Sequence, residues 1–429
     1  MGLALEKDDP VAALVDRLSR DGTDGGWAAE ARSAALSRLA GMGLPGRRDE
    51  YWKFTNPAPL TAAAAADVAA MPDETADVFA EATPLRLVFV DGRFDADASD
   101  ALALDGLEIE TLATAQAADI HWARDVYGVL EAAGQSPVER PLAALNSAVA
   151  RDGIVIRATG QVTRPVQFHH RHTAASADCA VHHVIRVEEG AALTVLETGA
   201  AAARFNKVME VEVADTGRFN HVRIQGRDRE RLAATHLFAR LEAESAFKSF
   251  TLTVNGALTR NECVIELTGD DATAHVAGAC IGEGDFHHDD TVFITHDAVN
   301  CESRQVFKKV LKSGATGVFQ GKILVQPDAQ KTDGYQISQG LLLDDDSQFL
   351  AKPELEIYAD DVVCSHGSTC GAVDETSLFY LTSRGISKED ATDMLVLAFV
   401  DEAIQEIEDD ALADVIRAQL AGWLDRRRG

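Results

Sequence analysis

A thiol and an imidazole two positions apart, Cys364 and His366, close the stretch KPELEIYADDVVCSHG that runs from Lys352 to Gly367. The stretch reads as one alternating strand, with Leu355, Ile357 and Tyr358, then Val362 and Val363, leading into the pair. Successive strand side chains point to opposite faces, so Cys364 and His366 share a face and Ser365 points away. A soft thiolate beside an imidazole is a half-site for iron or another transition metal. Two ligands do not complete a tetrahedral site, so a metal here needs a partner or a further element of the chain. The bland alternative is a Cys packing as a small hydrophobe beside a hydrogen-bonded His.

Other groupings carry similar chemistry. His169, His170 and His172, with His182 and His183, could gather metal, and so could His287, His288, Asp289 and Asp290. Adjacent histidines on a strand face opposite sides, so only His170 and His172 share a face directly. The HHDD run reads more readily as a solvated loop or a turn between repeats. Cys370, six residues after Cys364, is a third thiol close by. Three absences narrow the chemistry. Without a GxxxxGK[ST] loop the chain is not expected to hydrolyse ATP. GEGD, Gly282 to Asp285, lacks the spacing of a Rossmann nucleotide loop. No run of C-x-x-C motifs would let one chain hold an iron-sulfur cluster by itself.

The elements that must position these groups fall into regions of different texture: residues 1–80 helical, 81–150 mixed α/β, 151–372 strand-rich, and 373–429 helical again. In the first, Trp27, Leu36 and Leu39 point to a helix closed by GMGLPG, and TAAAAADVAA reads as a linker or weak helix. Between about 150 and 370, Val, Ile, Thr and Phe alternate with polar residues, the pattern of many short strands. Those strands repeat. A small residue followed by apolar residues two and five positions on occurs at Gly190 (Ala192, Val195), Gly217 (Phe219, Val222) and Ser245 (Phe247, Phe250), and more weakly at Ala272 (Ala274, Ala277). A fixed period of this kind marks a β-solenoid, although on period alone a β-sandwich fits equally well.

From Asp374 the helical period returns. Ser387 and Asp390 resemble a capping box, followed by Ala391, Met394, Leu395, Ala398, Ile404 and Ile407. A last amphipathic helix carries Leu412, Val415, Ile416, Leu420 and Trp423 and ends in Arg426, Arg427 and Arg428, where cations suit the helix C-terminus.

Composition points to a soluble intracellular protein, expected in the cytoplasm. MGLALEKDDP has no basic region followed by an apolar core, and Met394 to Val400 is far too short to span a bilayer. Six cysteines spread along 429 residues read as reduced thiols. A formal charge of -29 argues against nucleic acid or an anionic membrane as partner.

Several long, irregular words then carry a resemblance: KTDGYQ, LLL, KPELEIYADDVVCSHG and LFYLTSRGI in order, with EYWKFTN, VFVDGRF, SRQVFKK and VFQGKI upstream. Over about residues 45 to 407 the chain resembles the SufD branch of the SufB/SufD family, scaffold subunits of the SUF iron-sulfur cluster assembly machinery. The paralogous SufB branch has a cysteine within the segment matching Lys331 to Leu343 and a His-Glu-Ala word in place of CSHG; this chain has neither. The resemblance implies a right-handed parallel β-helix between helical ends and a non-catalytic scaffold. It implies pairing with SufB, docking of the ATPase subunit SufC on the C-terminal helices, and, in isolation, a homodimer as an alternative. It also implies that Cys364 and His366 contribute to a transient cluster or iron shared with the partner. Reduced flavin is associated with such complexes, but no flavin site is visible in this sequence. Two readings outside the family are a polysaccharide-active β-helix enzyme and a stand-alone metal-binding protein. The first meets the missing export signal, and its natural acid pair, Asp360 and Asp361, would alternate faces.

Overall fold

The computed structural model describes residues 10–70, 78–226 and 230–426. The strand-rich region is a parallel β-solenoid of about seven turns. Successive strands alternate between a ten-stranded and a nine-stranded sheet, each pairing in parallel with the strand one coil earlier. In the ten-stranded sheet Ala192 lies beside Arg218, Arg218 beside Ala246, and Ala246 beside Thr273. The ladder continues from Thr273 to Glu302, Asp333 and Val363. A sandwich is excluded by this pairing.

One corner of each coil explains the repeated small residue. Thr216, Glu244, Asp271, Asn300 and Lys331 all adopt positive φ at successive copies of this corner. Their backbone N–H groups donate to the next coil, as from Thr216 to the Ala243 carbonyl (2.8 Å) and from Glu244 to that of Asp270 (2.8 Å). The residue that follows tucks into the interior, and Ser245, Ala272, Cys301 and Thr332 are all buried there. The first copy of the repeat is shifted by one. Gly190 itself takes the positive φ, so Ala191 and Leu193, not Gly190 and Ala192, match Gly217 and Phe219.

The flanking segments cover the outer faces. Helices Lys388–Ile404 and Asp410–Arg426 lie back along the ten-stranded sheet, where Val396, Val400, Ile404 and Ile416 pack with Val222, Phe250, Ile281 and Val306. They do not cap the last coil. Arg427 and Arg428 lie outside the described residues. Helix Gly26–Met42 buries Trp27 and Leu39 and ends at Gly43 with φ 73°, as the stop signal requires. The alanine tract after Thr61 is irregular up to residue 70. Residues 50–55 cross the outer face of the nine-stranded sheet. There Arg260 Nη1 and Gln320 Nε2 donate to the Tyr51 carbonyl at 2.9 and 3.1 Å. The Tyr51 hydroxyl bonds Glu354, and Lys352 Nζ reaches Glu50 at 2.7 Å. Among the described residues no helix is long and apolar enough to cross a membrane.

Candidate functional site at the open end of the solenoid

The stretch carrying Cys364 and His366 is two strands rather than one. Gln348–Ile357 ends the nine-stranded sheet, the chain turns at Tyr358–Val362, and Val363–Ala372 ends the ten-stranded sheet. The Asp360–Asp361 pair belongs to that turn, and the backbone N–H of Lys331 donates to the Asp361 carbonyl (2.5 Å), extending the corner ladder by one coil. Among the described residues each terminal strand pairs with another strand on one side only, and the other edge of each is open.

Register gives the orientation of the pair. Cys364 stacks on Gly334 and Ser303, and His366 on Gln336 and Gln305. In those earlier coils the same rows face the interior: Ser303, Gln305 and Gln336 are buried, and Gln336 Nε2 donates to Gln305 Oε1 at 2.9 Å. Cys364 and His366 therefore occupy inward-facing positions of a last coil that no further coil covers. Cys364 is half-buried among Ile323, Ala329 and Leu355, and a β-carbon on Gly334 would lie 3.2 Å from its sulfur, so glycine leaves the thiol room. Burial pushes this thiol up, and only a hydrogen bond involving the Gly334 backbone opposes that. A bound cation, or a partner group that supplies one, is needed to favour the thiolate. His366 is exposed. Cys370 lies on the same row set two steps on, stacked on Gly340, and is exposed. Val363, 70% exposed, points to the opposite face of the same strand, and Ile357 and Tyr358 are exposed before the turn.

The other groupings resolve differently. Among the described residues no three His, Cys, Asp or Glu side chains come together in a way that could hold a metal. His182 Nε2 bonds Glu210 (2.8 Å), His169 Nδ1 bonds Thr198 (2.9 Å), and His183 Nδ1 accepts from the Ile154 N–H (3.2 Å). The HHDD run is not a loop. It opens strand His287–His296, with His288 and Asp290 inside the solenoid and Asp289 buried beneath residues 50–55. His288 Nδ1 lies 2.8 Å from Lys309 Nζ, and that amine reaches Asp290 at 2.6 Å. Buried charge in a strand is affordable here because each group meets an opposite charge or a hydrogen-bond partner.

The reading from residues missed the link between residues 50–55 and the terminal strand, although the word EYWKFTN was in view. It also missed an exposed patch on the C-terminal helices. Helix Glu375–Thr382 buries none of its residues, and Phe379 (73% exposed), Tyr380 and, on the next helix, Met394 face solvent. Two adjacent aromatics, Phe379 and Tyr380, in a short helix that cannot bury both on one face were the available signal.

Residues 170–399, from the early coils into the helix Lys388–Ile404, match the family described as SUF system FeS cluster assembly, SufBD core domain. The chain belongs to the SufBD family. Its relatives agree. It is 29% identical over 408 residues to the iron-sulfur cluster assembly protein SufD of Escherichia coli, covering 90% of each chain. It is 27% identical over 432 residues to a SufBD family protein of Synechocystis, covering 94% of this chain and 92% of the other. With SufD of Bacillus subtilis it shares 25% identity over 67% of each chain. The SufBD match takes in both terminal strands and the exposed helix Glu375–Thr382, so the open end and the apolar patch both lie within the family core.

Proposed function

We propose that this chain is the SufD-type scaffold subunit of a SUF complex in the cytoplasm, without catalytic activity of its own. It pairs with a SufB-type subunit through the open end of the solenoid, and residues 373–429 dock the SufC ATPase. The observation that carries this reading is the placement of Cys364 and His366 on the inward rows of an uncovered terminal coil. A second solenoid end laid against these edges would enclose the pair and add the missing ligands to the nascent iron-sulfur cluster, the cargo of the complex. Splitting the ligands across an interface lets the site hold a cluster during assembly and release it when the subunits move. His366 is the stronger candidate, since a neutral imidazole binds iron and releases it more readily than a thiolate. The exposed Phe379, Tyr380 and Met394 support the helical end as a docking surface.

The test is His366→Ala and Cys364→Ala in the anaerobically reconstituted complex, with melting temperature, iron and sulfide measured together. The expected result is unchanged melting and assembly with a clear loss of cluster for His366→Ala, and an equal or smaller loss for Cys364→Ala. A His366→Ala complex with unchanged melting and full cluster content overturns the ligand assignment.

A further inference from the structure

The interior of the solenoid is divided lengthwise. Near the positive-φ corner it is apolar, with Leu193, Phe219 and Phe247 stacked along the ten-stranded sheet and Val213, Leu241 and Leu267 along the other. The opposite side is polar. Lys207, Thr235, Asn261 and Asp290 occupy one register of the nine-stranded sheet, and Glu197, Arg223 and Thr251 one register of the other.

Charge along this lane does not close. Lys207 Nζ holds Glu197 Oε2 at 2.6 Å, with His221 Nε2 at 2.8 Å from Oε1, and Lys309 pairs with Asp290. Arg223 makes no direct ion pair among the described residues, and Glu197 and Asp290, which act on it through space, are each in contact with a lysine. Its two terminal nitrogens donate to neutral acceptors, Thr235 Oγ1 and Asn261 Oδ1, each at 3.0 Å, and its Nε has no partner. The residue is only 7% exposed. A buried guanidinium served only by neutral oxygens is costly unless something anionic joins it.

Beside it lies a cavity of about 60 Å³, whose lining includes Arg223, Gln225, Thr259 and His170. A water needs roughly 10–15 Å³ measured in this way, so the space takes several waters or one small solute. His170, 4% exposed, is packed between Phe89 and Phe205 at 5.3 and 5.2 Å, and among the described residues neither of its ring nitrogens has a hydrogen-bond partner. Burial keeps this imidazole neutral, down to about 3, so it offers one N–H donor and one acceptor. Glu197 also lines the cavity, but both its oxygens are taken by Lys207 and His221. Half-buried Gly199, Ala200, Gln225 and Gly226 form the mouth. A β-carbon on Gly199 would lie 1.9 Å from the His170 carbonyl oxygen, so glycine is required at this rim.

We propose that this cavity binds a small oxyanion, of phosphate or acetate size, between the Arg223 guanidinium and the His170 imidazole N–H. The site is remote from Cys364 and His366 along the chain and stands whether or not those residues hold a cluster. The full-length protein, purified in chloride, is titrated calorimetrically with phosphate, sulfate and acetate at constant ionic strength. Saturable one-to-one binding of at least one of them is expected, at least tenfold weaker in Arg223→Gln and weaker by a smaller factor in His170→Phe, with circular dichroism unchanged. Should Arg223→Gln not fold, wild-type crystals soaked in selenate decide the matter through an anomalous peak between Arg223 and His170. Absence of saturable binding for all three anions, undiminished binding in folded Arg223→Gln, or a cavity holding only waters after the soak overturns the proposal.

Discussion

The two ends of the solenoid are finished in opposite ways. At the first end both sheets stop by reversing direction: Arg93–Asp95 pairs antiparallel with Leu85–Val90, and Leu107–Thr111 antiparallel with Ile154–Ala158. Phe94, Leu107 and Ile109 pack onto the core there. At the other end two ten-residue strands keep the parallel register and stop with open edges. A solenoid needs a cap at each terminus to avoid edge pairing, so an uncapped, in-register end is an invitation to another chain. The chemistry-bearing pair stands at the uncapped end.

The largest effect is expected from spoiling that end. Val363→Lys combined with Ser365→Lys, two exposed positions of the open edge strand, should weaken capture of a SufB-type subunit by about 100-fold, roughly 3 kcal/mol, while the isolated chain keeps its strand signal. Glu108→Lys, on the capped end, should leave capture unchanged. Equal losses in both variants, measured by pull-down and sedimentation, would break the contrast between the ends.

Acid should separate the ends next. Burial pushes Glu262 up, but Arg260 and Arg140 outweigh it, at 2.7 and 2.8 Å, and bring its carboxyl down to about 2. A folded-state value below the ordinary 4.5 means that this stabilisation is full above about pH 4.5 and lost as pH falls toward 2. On the order of 2–3 kcal/mol should disappear across that window, and Glu262→Gln should flatten it. Arg260 also holds the Tyr51 carbonyl, so amides of Gln348–Ile357 should exchange before those of Leu85–Val90 as acid is added. Simultaneous exchange would show that residues 50–55 do not secure the open end.

A smaller effect is expected at the helices. Phe379→Ser with Tyr380→Ser should weaken SufC capture by about tenfold, near 1.4 kcal/mol, without moving the melting temperature, because both side chains are exposed. Undiminished capture places docking elsewhere. The smallest concerns Cys370. Cys370→Ser should change stability by less than about 0.5 kcal/mol and leave cluster content intact. A cluster deficit would make it a third ligand on the terminal row.

Much of the solenoid was legible because its corner leaves a trace in composition. A residue at positive φ is followed by a small buried one, and Gly217, Ser245 and Ala272 report it. The later copies, Cys301 and Thr332, hid behind longer steps and a bulkier residue type. Gly190 misled by supplying both the special backbone and the small side chain. The site was legible as a pair of residues but not as a place, since alternation alone cannot reveal that Tyr358–Val362 turns a corner or that no coil follows. The HHDD run and the polar lane were misread or unseen for one reason. Polar strand residues read as solvated until a second layer is known, and here the layers are residues 50–55 outside and the opposite sheet within.

The contact between Tyr51 and Glu354 spans 303 residues of sequence. At ribosomal rates the intervening chain takes on the order of 15–60 s to synthesise, and each coil can stack on its predecessor as it emerges. Tyr51 and Trp52 can pack on earlier coils in the meantime, but the tyrosine hydroxyl must wait throughout for its last partner. Birth order thus runs from the capped end to the open one, and the edge proposed to pair with another chain is made last. A nascent polypeptide therefore presents its open edges only after nearly everything that could mispair with them has already been stacked away.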